Sequence, residues 1–579
     1  MKRLLYRSYR KHGNICTVNV VSRRQNSQKV KDGPSLQHFI NLSKQPTQTL
    51  NTRNIISEGA GVHPYITKDS FHGKSRKVYF ETYGCQMNVN DIEIVWSILN
   101  ENGFVRTELV KEADVIFLMT CSIREGAEKR IWGRVDTLQG LKRTRVNGQP
   151  QVKIGILGCM AERLKSQILE ERKSVDLVCG PDAYKDLPRL LSITHSGQTA
   201  VNVMLSLDET YADVMPVRLN PESPSAFVSI MRGCENMCSY CIVPFTRGRE
   251  RSRPIASILD EVRMLRDQGI KEVTLLGQNV NSYRDLSESK YASEEKLPTK
   301  MAKGFKTVYK TKLGGTRFAD LLDHVSRVDP EMRIRFTSPH PKDFPDEVLD
   351  LINERSNICN QLHMPAQSGS TAVLESMRRG YTREAYLQLV HHVKKRIPDV
   401  KLSSDFISGF CGETEEDHHA TLTLLDLVRY HRVFHFPYSL REKTHAHRAL
   451  KDDVPQEVKL RRHEEVRAKC RGIFSELNAA DVGQTQLVLI ESESKRSSDD
   501  WAARNDGNTK VIFPKGSVPT SYAGANLKTP SIGDYVAVRI TSSTSATLRG
   551  KPMFTSGIKD FALYEESLRD DKQFQGYSL

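Results

Sequence analysis

No apolar run in this chain of 579 residues approaches the roughly 18 to 20 residues needed to cross a bilayer, so a soluble protein is expected. Acidic residues are nearly missing from the first 53 positions, where Asp32 alone stands against eleven Lys or Arg. That segment carries ten of the fifteen net positive charges. The rest of the chain is nearly balanced, and any RNA site there must be a local patch. No histidine lies between His195 and His324, and no cysteine between Cys241 and Cys359. A closed structural zinc site around Cys234, Cys238 and Cys241 is therefore excluded, because it needs four ligands, usually from paired CxxC units or nearby histidines. Eleven cysteines, odd in number and clustered in motifs, also argue against a secreted disulfide framework. The length calls for several domains, each able to bury its own core.

Two sets of three cysteines are present. Cys234, Cys238 and Cys241 lie together in GCENMCSYCIVP, while Cys85, Cys121 and Cys159 are spread over TYGCQMN, MTCSIRE and LGCMAER. A [4Fe–4S] cluster normally takes four cysteines, so three leave one iron open to a reacting ligand. Each spread cysteine follows a short buried strand (KVYFETYG, ADVIFLMT, VKIGILG), and a helical stretch comes next. In an open parallel sheet the carboxyl ends of the strands share one edge, where ligands gather. Three buried apolar cysteines remain the alternative.

CENMCSYC has the Cx3Cx2C spacing of the radical S-adenosylmethionine (SAM) superfamily, with Tyr240 before the third cysteine. Its flanks, AFVSIMRGC and IVPFTRGRERSRP, resemble the MiaB-type tRNA methylthiotransferases, and the resemblance runs from about Lys77 to about Gly550. The resemblance implies that Cys234, Cys238 and Cys241 bind the radical SAM [4Fe–4S] cluster. It also implies that Cys85, Cys121 and Cys159 bind an auxiliary [4Fe–4S] cluster linked to sulfur donation. Cys179, in DLVCGPD, lies outside those motifs and is read as packing.

The expected fold is multidomain α/β. An open parallel α/β domain spans 75–200, and a central partial (βα)6 radical SAM barrel spans 220–475 with an insertion at 284–316. A small OB-like β-barrel spans 477–555, with a tail at 556–579. Six strand-like segments alternating with helices carry the central assignment, and short strands with Gly, Asn and Asp turns carry the last. That last stretch resembles the TRAM domain, an RNA-binding module, although a plain structural cap has the same pattern. Arg504, Asn505, Asp506 and Gly507 form an exposed-looking turn in it. Residues 1–70, basic and almost free of acids, have the composition of a disordered mitochondrial transit segment directing the protein to the matrix; a basic tail that targets nothing is the alternative.

Polar residues at the strand ends suit a cofactor: Gly277, Gln278 and Asn279 after the second strand, Gln367 and Ser368 after the fourth, and Asp405, Ser408 and Gly409 at the fifth. Singly, each is also explained by turn chemistry or a satisfied core polar group; the resemblance implies SAM contacts. GFCGET stands where the family usually has GFPGET, so Cys411 replaces a proline and the loop gains backbone freedom. In the insertion, Lys303, Lys306, Lys310 and Lys312 alternate with Phe305 and Tyr309, a mix suited to RNA, although a solvated loop is the expectation. Arg247, Arg249, Arg251 and Arg253 share one face if extended and are expected to contact phosphate or cofactor; ion pairs with Asp260 or Glu261 are the alternative.

For function, the resemblance implies that SAM binds the open iron and is cleaved by one electron to a 5′-deoxyadenosyl radical. Sulfur and a methyl group are then inserted at C2 of N6-isopentenyladenosine, at position 37 beside the tRNA anticodon. The anticodon stem-loop is the expected partner, with electron donor and sulfur source unidentified. Relatives acting on threonylcarbamoyladenosine or on a ribosomal-protein aspartate share the architecture, but TYGCQMNVND, RGRERSR and RIRFTSPHP resemble the isopentenyladenosine branch. A non-catalytic kinase-regulatory role is suggested only by a name in the animal mitochondrial branch, and no binding motif supports it.

Overall fold

The computed structural model describes residues 68–122, 125–144, 151–287, 303–306 and 314–576. The proposed transit segment up to residue 67 lies outside the described residues, as do Tyr309, Lys310 and Lys312.

The first domain is a six-stranded, all-parallel sheet built from β1 (Lys77–Thr82), β2 (Val105–Arg106), β3 (Val115–Thr120), β4 (Lys153–Gly158), β5 (Leu177–Cys179) and β6 (Ala200–Asn202), in the order β2-β1-β3-β4-β5-β6. Strands β3 and β4 are buried at every position because helices cover both faces of the sheet. Val115, Phe117 and Met119 face the helix Gln86–Glu101, and Ile116 and Leu118 face the helix Glu125–Thr144, the period-2 alternation of a strand. Cys179, on β5, is fully buried in this core.

In the second domain β7 (Ser225–Ser229), β10 (Glu272–Leu276) and β13 (Arg333–Phe336) form one parallel sheet, and β14 (Gln361–His363), β15 (Lys401–Ser408) and β16 (Arg432–Pro437) form another. A parallel bridge between Ile334 and Ile358 joins them. All six expected strands are present, and among the described residues no ladder returns β16 to β7, so the barrel is partial. The first expected strand is broken at Ile230. Beyond it, β8 (Met231–Arg232) turns to pair antiparallel with β9 (Arg251–Ser252), clipping the cysteine loop at its base. The insertion is closed in the same way by β11 (Arg284–Asp285) and β12 (Thr316–Arg317). Within it Phe305 is buried, with its ring 4.8 Å from that of Tyr381, and so cannot stack on a base.

The third domain is a closed barrel of β17 (Thr485–Ser494), β18 (Ser497–Asn505), β19 (Lys510–Pro514), β22 (Tyr535–Ser543) and β23 (Thr547–Thr555), with β20 (Val518–Pro519) and β21 (Leu527–Lys528) as a separate pair. Its turn at 504–507 is not free for RNA but docked. Arg335, on β13, donates to the carbonyls of Asn505 at 2.7 Å and Asp506 at 2.5 Å, and Asp506 Oδ2 accepts from the Asn360 backbone at 2.8 Å. Arg333 donates to the Arg504 and Leu487 carbonyls and lies over the Tyr535 ring. The barrel thus seals the amino end of β13 and β14, opposite the cysteines. The expected tail is largely a helix, Ile558–Gly576, with Ile558 and Phe561 buried against Leu487 and Tyr535. Glu331 accepts from its first backbone N–H groups.

Candidate iron–sulfur and SAM site

Strand order brings the spread cysteines together. β1, β3 and β4 are adjacent, and their carboxyl ends lead to Cys85, which caps the helix Gln86–Glu101; to Cys121, directly after β3; and to Cys159, first residue of the helix Cys159–Leu164. Neighbouring strands lie about 4.8 Å apart, so the three residues share one end of the sheet. Gly84, at φ +138°, permits the approach, since a Cβ there would stand 2.7 Å from Cys121 Cβ. Cys85 Sγ donates to Asn88 Oδ1 at 3.9 Å. The neighbouring Cys121 thiol, aided by the Arg247 guanidinium, draws Cys85 down to about 6. Burial pushes Cys159 up, against the pull of the Arg247 guanidinium.

The second set occupies the loop clipped by β8 and β9. Burial pushes Cys234 well above an ordinary thiol, and burial together with Cys238 pushes Cys241 up to about 12. The protein alone therefore does not make these groups thiolates; a coordinated metal would. Arg379 is buried beside them, donating to Cys238 Sγ at 3.4 Å, the Tyr381 hydroxyl at 3.0 Å and the Pro365 carbonyl at 2.8 Å. Tyr240 packs edge-on against Phe410, and Cys411 joins the same apolar cluster.

Among the described residues no three Cys, His, Asp or Glu side chains converge on a point as ligands of a single ion would. A cubane cluster binds each thiolate to a different iron, so it needs three sulfurs around a cluster-sized volume instead. Buried donors also await an acceptor: Arg247 Nη1 and Arg232 Nη2 have no hydrogen-bond partner.

The polar strand ends divide into two groups. Gln278 Oε1 accepts from Gly233 N at 2.5 Å, tying the end of β10 to the cysteine loop. Ser408 Oγ is buried without a partner at the end of β15, where Gly409, at φ +77°, donates its N–H to Glu413. Gln367, at φ +71°, bridges to β15 through backbone bonds with Asp405 and Ile407. A Cβ on Gly277 would meet Met231 Cγ at 2.5 Å, so glycine lets β8 approach β10. Asn279 accepts from the His340 backbone, Ser368 from that of Ser370, and Asp405 pairs with His363 at 3.2 Å, so these three have partners within the protein.

Three arginines of the run, Arg247, Arg251 and Arg253, are buried and not offered to phosphate, while Arg249 is half-buried. Arg247 and Arg251 pair with Asp91 and Asp182 of the first domain, and Arg253 with Glu261, so at Arg253 the ion-pair alternative weighed for the run is found, in a buried pair. Asp91, Arg232 and Arg379 escaped the sequence reading. For Asp91 the available signal was a polar stretch, NVND, in the first turns of a helix that begins directly after Cys85.

These features define a three-domain radical SAM protein. Residues 77–180 match Uncharacterized protein family UPF0004, 228–425 the Radical SAM superfamily and 479–553 the TRAM domain. The chain is 58% identical to the mitochondrial tRNA methylthiotransferase CDK5RAP1 of Homo sapiens, over 94% of this chain and 92% of that one. It is 47% identical to a CDK5RAP1-like protein of Caenorhabditis elegans, over 95% and 97%. It is 51% identical to the tRNA-2-methylthio-N(6)-dimethylallyladenosine synthase of Chloroherpeton thalassium, over 82% and 96%. The chain belongs to the MiaB-type radical SAM tRNA methylthiotransferase family.

Proposed function

We propose that this protein converts N6-isopentenyladenosine to 2-methylthio-N6-isopentenyladenosine at position 37 of mitochondrial tRNAs, acting in the matrix. The observation that carries the reading is that Arg247, just after the second cysteine set, touches Cys159 of the first across the domain interface at 3.2 Å. Cys234, Cys238 and Cys241 would hold one [4Fe–4S] cluster with an iron left open for SAM, and Cys85, Cys121 and Cys159 the other. Bound there, the clusters and SAM supply one-electron chemistry able to activate a nucleobase carbon and a sulfur to insert at it.

The chain's own residues set the geometry. Gln278 holds the start of the cysteine loop through Gly233 N, Arg379 fixes Cys238, and the unpartnered Ser408 hydroxyl beside Gly409 is free to bind a polar group of SAM. The third domain keeps water from the amino end of the partial barrel and presents an outer face to RNA. On that face Arg539 and Lys551 are opposite one another in β22 and β23, both exposed. Like charges directly opposed across a ladder cost stability, and a polyanion offsets that cost.

The test is nucleoside mass spectrometry of mitochondrial tRNA from cells lacking the protein, rescued with wild type or with Cys234→Ala. Restoration of the methylthio nucleoside by wild type alone is expected. A profile unchanged by loss of the protein would refute this substrate and turn attention to threonylcarbamoyladenosine or the ribosomal-protein aspartate.

A further inference from the structure

Both ends of the cysteine loop are tied to the other cysteine set through one carboxylate. Asp91 is fully buried on the helix that Cys85 caps. Its Oδ1 accepts from Arg232 Nη1 at 2.8 Å and its Oδ2 from Arg247 Nη2 at 2.5 Å. Arg232 lies two residues before Cys234 and Arg247 six after Cys241. The two arginines differ in their remaining contacts. Arg232 lies over the Tyr211 ring at 4.6 Å and has Glu209 at 3.8 Å. Each keeps one buried nitrogen that no acceptor among the described residues meets, Arg232 Nη2 and Arg247 Nη1, but of the two only Arg247 also donates to a cysteine, its Nε–H to Cys159 Sγ at 3.2 Å. An unmet buried donor costs about 1–3 kcal/mol, so a fold that holds one rigidly beside a cysteine set favours an acceptor at that place. A cluster sulfide is such an acceptor.

We propose that Arg247 is a positioning residue of the auxiliary cluster, donating Nε–H to its Cys159 ligand and Nη1–H to a cluster sulfide, with Asp91 fixing the guanidinium plane. The inference rests on the reading of Cys85, Cys121 and Cys159 as cluster ligands. Donors to cluster sulfur favour the reduced state and raise the reduction potential. Lysine keeps the charge opposite Asp91 but lacks the planar fork that serves the carboxylate and the sulfurs together.

The test uses the full chain with Cys234, Cys238 and Cys241 replaced by alanine, so that only the auxiliary site can bind iron. After anaerobic reconstitution, about four irons per chain are expected; absence of iron overturns the ligand reading and the inference with it. With 15N-arginine incorporated, pulsed electron paramagnetic resonance of the reduced cluster should show a weak 15N coupling. Arg247→Lys should abolish that coupling and make the potential more negative, while Arg232→Lys, which also sits on Asp91 but touches no cysteine, should change neither. A cluster that forms without arginine coupling in the parent, or equal potential shifts in the two lysine variants, overturns the inference alone. Should Arg247→Lys fail to retain iron, the coupling in the parent still decides.

Discussion

Replacing Asp91 with asparagine keeps the shape of the side chain and removes the charge that two buried arginines share. The loss is uneven. Arg232 keeps Glu209 at 3.8 Å, whereas among the described residues the Arg247 guanidinium otherwise meets only Cys159 Sγ and Asn88 Oδ1. Removing one member of a buried pair costs about 3–5 kcal/mol, because the other is left uncompensated. That is a large part of the roughly 5–15 kcal/mol that stabilises a domain. It falls on the seam between the first two domains, where Asn90 also donates to the Phe227 carbonyl. At about 1.4 kcal/mol per factor of ten, amides in Gln86–Glu101 and β7 should exchange at least ~100-fold faster in Asp91→Asn, while β22 and β23 stay protected. Hydrogen exchange read by mass spectrometry measures this directly, and unchanged protection at the seam would refute the reasoning. Burial alone would raise the Asp91 carboxyl; Arg247 and Arg232 outweigh it and hold it below its ordinary 3.8. The stability it adds is therefore present above that value and is lost as pH falls through the lower folded one.

Glu93 has the opposite sign: burial lifts it from 4.5 to about 7, so its penalty grows as pH rises from 4.5 through 7, on the order of 3 kcal/mol. Glu93→Gln should raise the urea midpoint at pH 8 and leave it nearly unchanged at pH 4; equal effects at both would count against the assignment. Asp506→Ala leaves the Asn360 N–H unmet at a cost of about 1–3 kcal/mol and should speed limited proteolysis between the second and third domains, with unaltered cleavage the contrary result. Phe305→Ala opens a hole beside Tyr381 worth about 3–5 kcal/mol and should lower the thermal midpoint, whereas a merely solvated loop would show no change. Arg539→Ala and Lys551→Ala should each reduce the salt dependence of tRNA binding by about one phosphate contact, and an unchanged slope would place the RNA elsewhere.

Local pattern carried much of this protein. Buried apolar runs marked β3, β4 and the six central strands, and the Cx3Cx2C spacing marked the loop that follows the first of them, because strand periodicity and ligand spacing are properties of neighbouring residues. What the sequence left open depended on contacts distant along the chain. Arg247, Arg251 and Arg253 looked like a phosphate site until Asp91, Asp182 and Glu261 closed on them, since a guanidinium reads the same whether its partner is water, phosphate or a carboxylate 156 residues away. The 504–507 turn looked exposed until β13 arginines met its carbonyls, and Phe305 looked available until Tyr381 covered it. Sequence by itself determined which residues could bear the chemistry; tertiary structure decided which of them meet, because burial and charge pairing are set by the surfaces that domains present to one another.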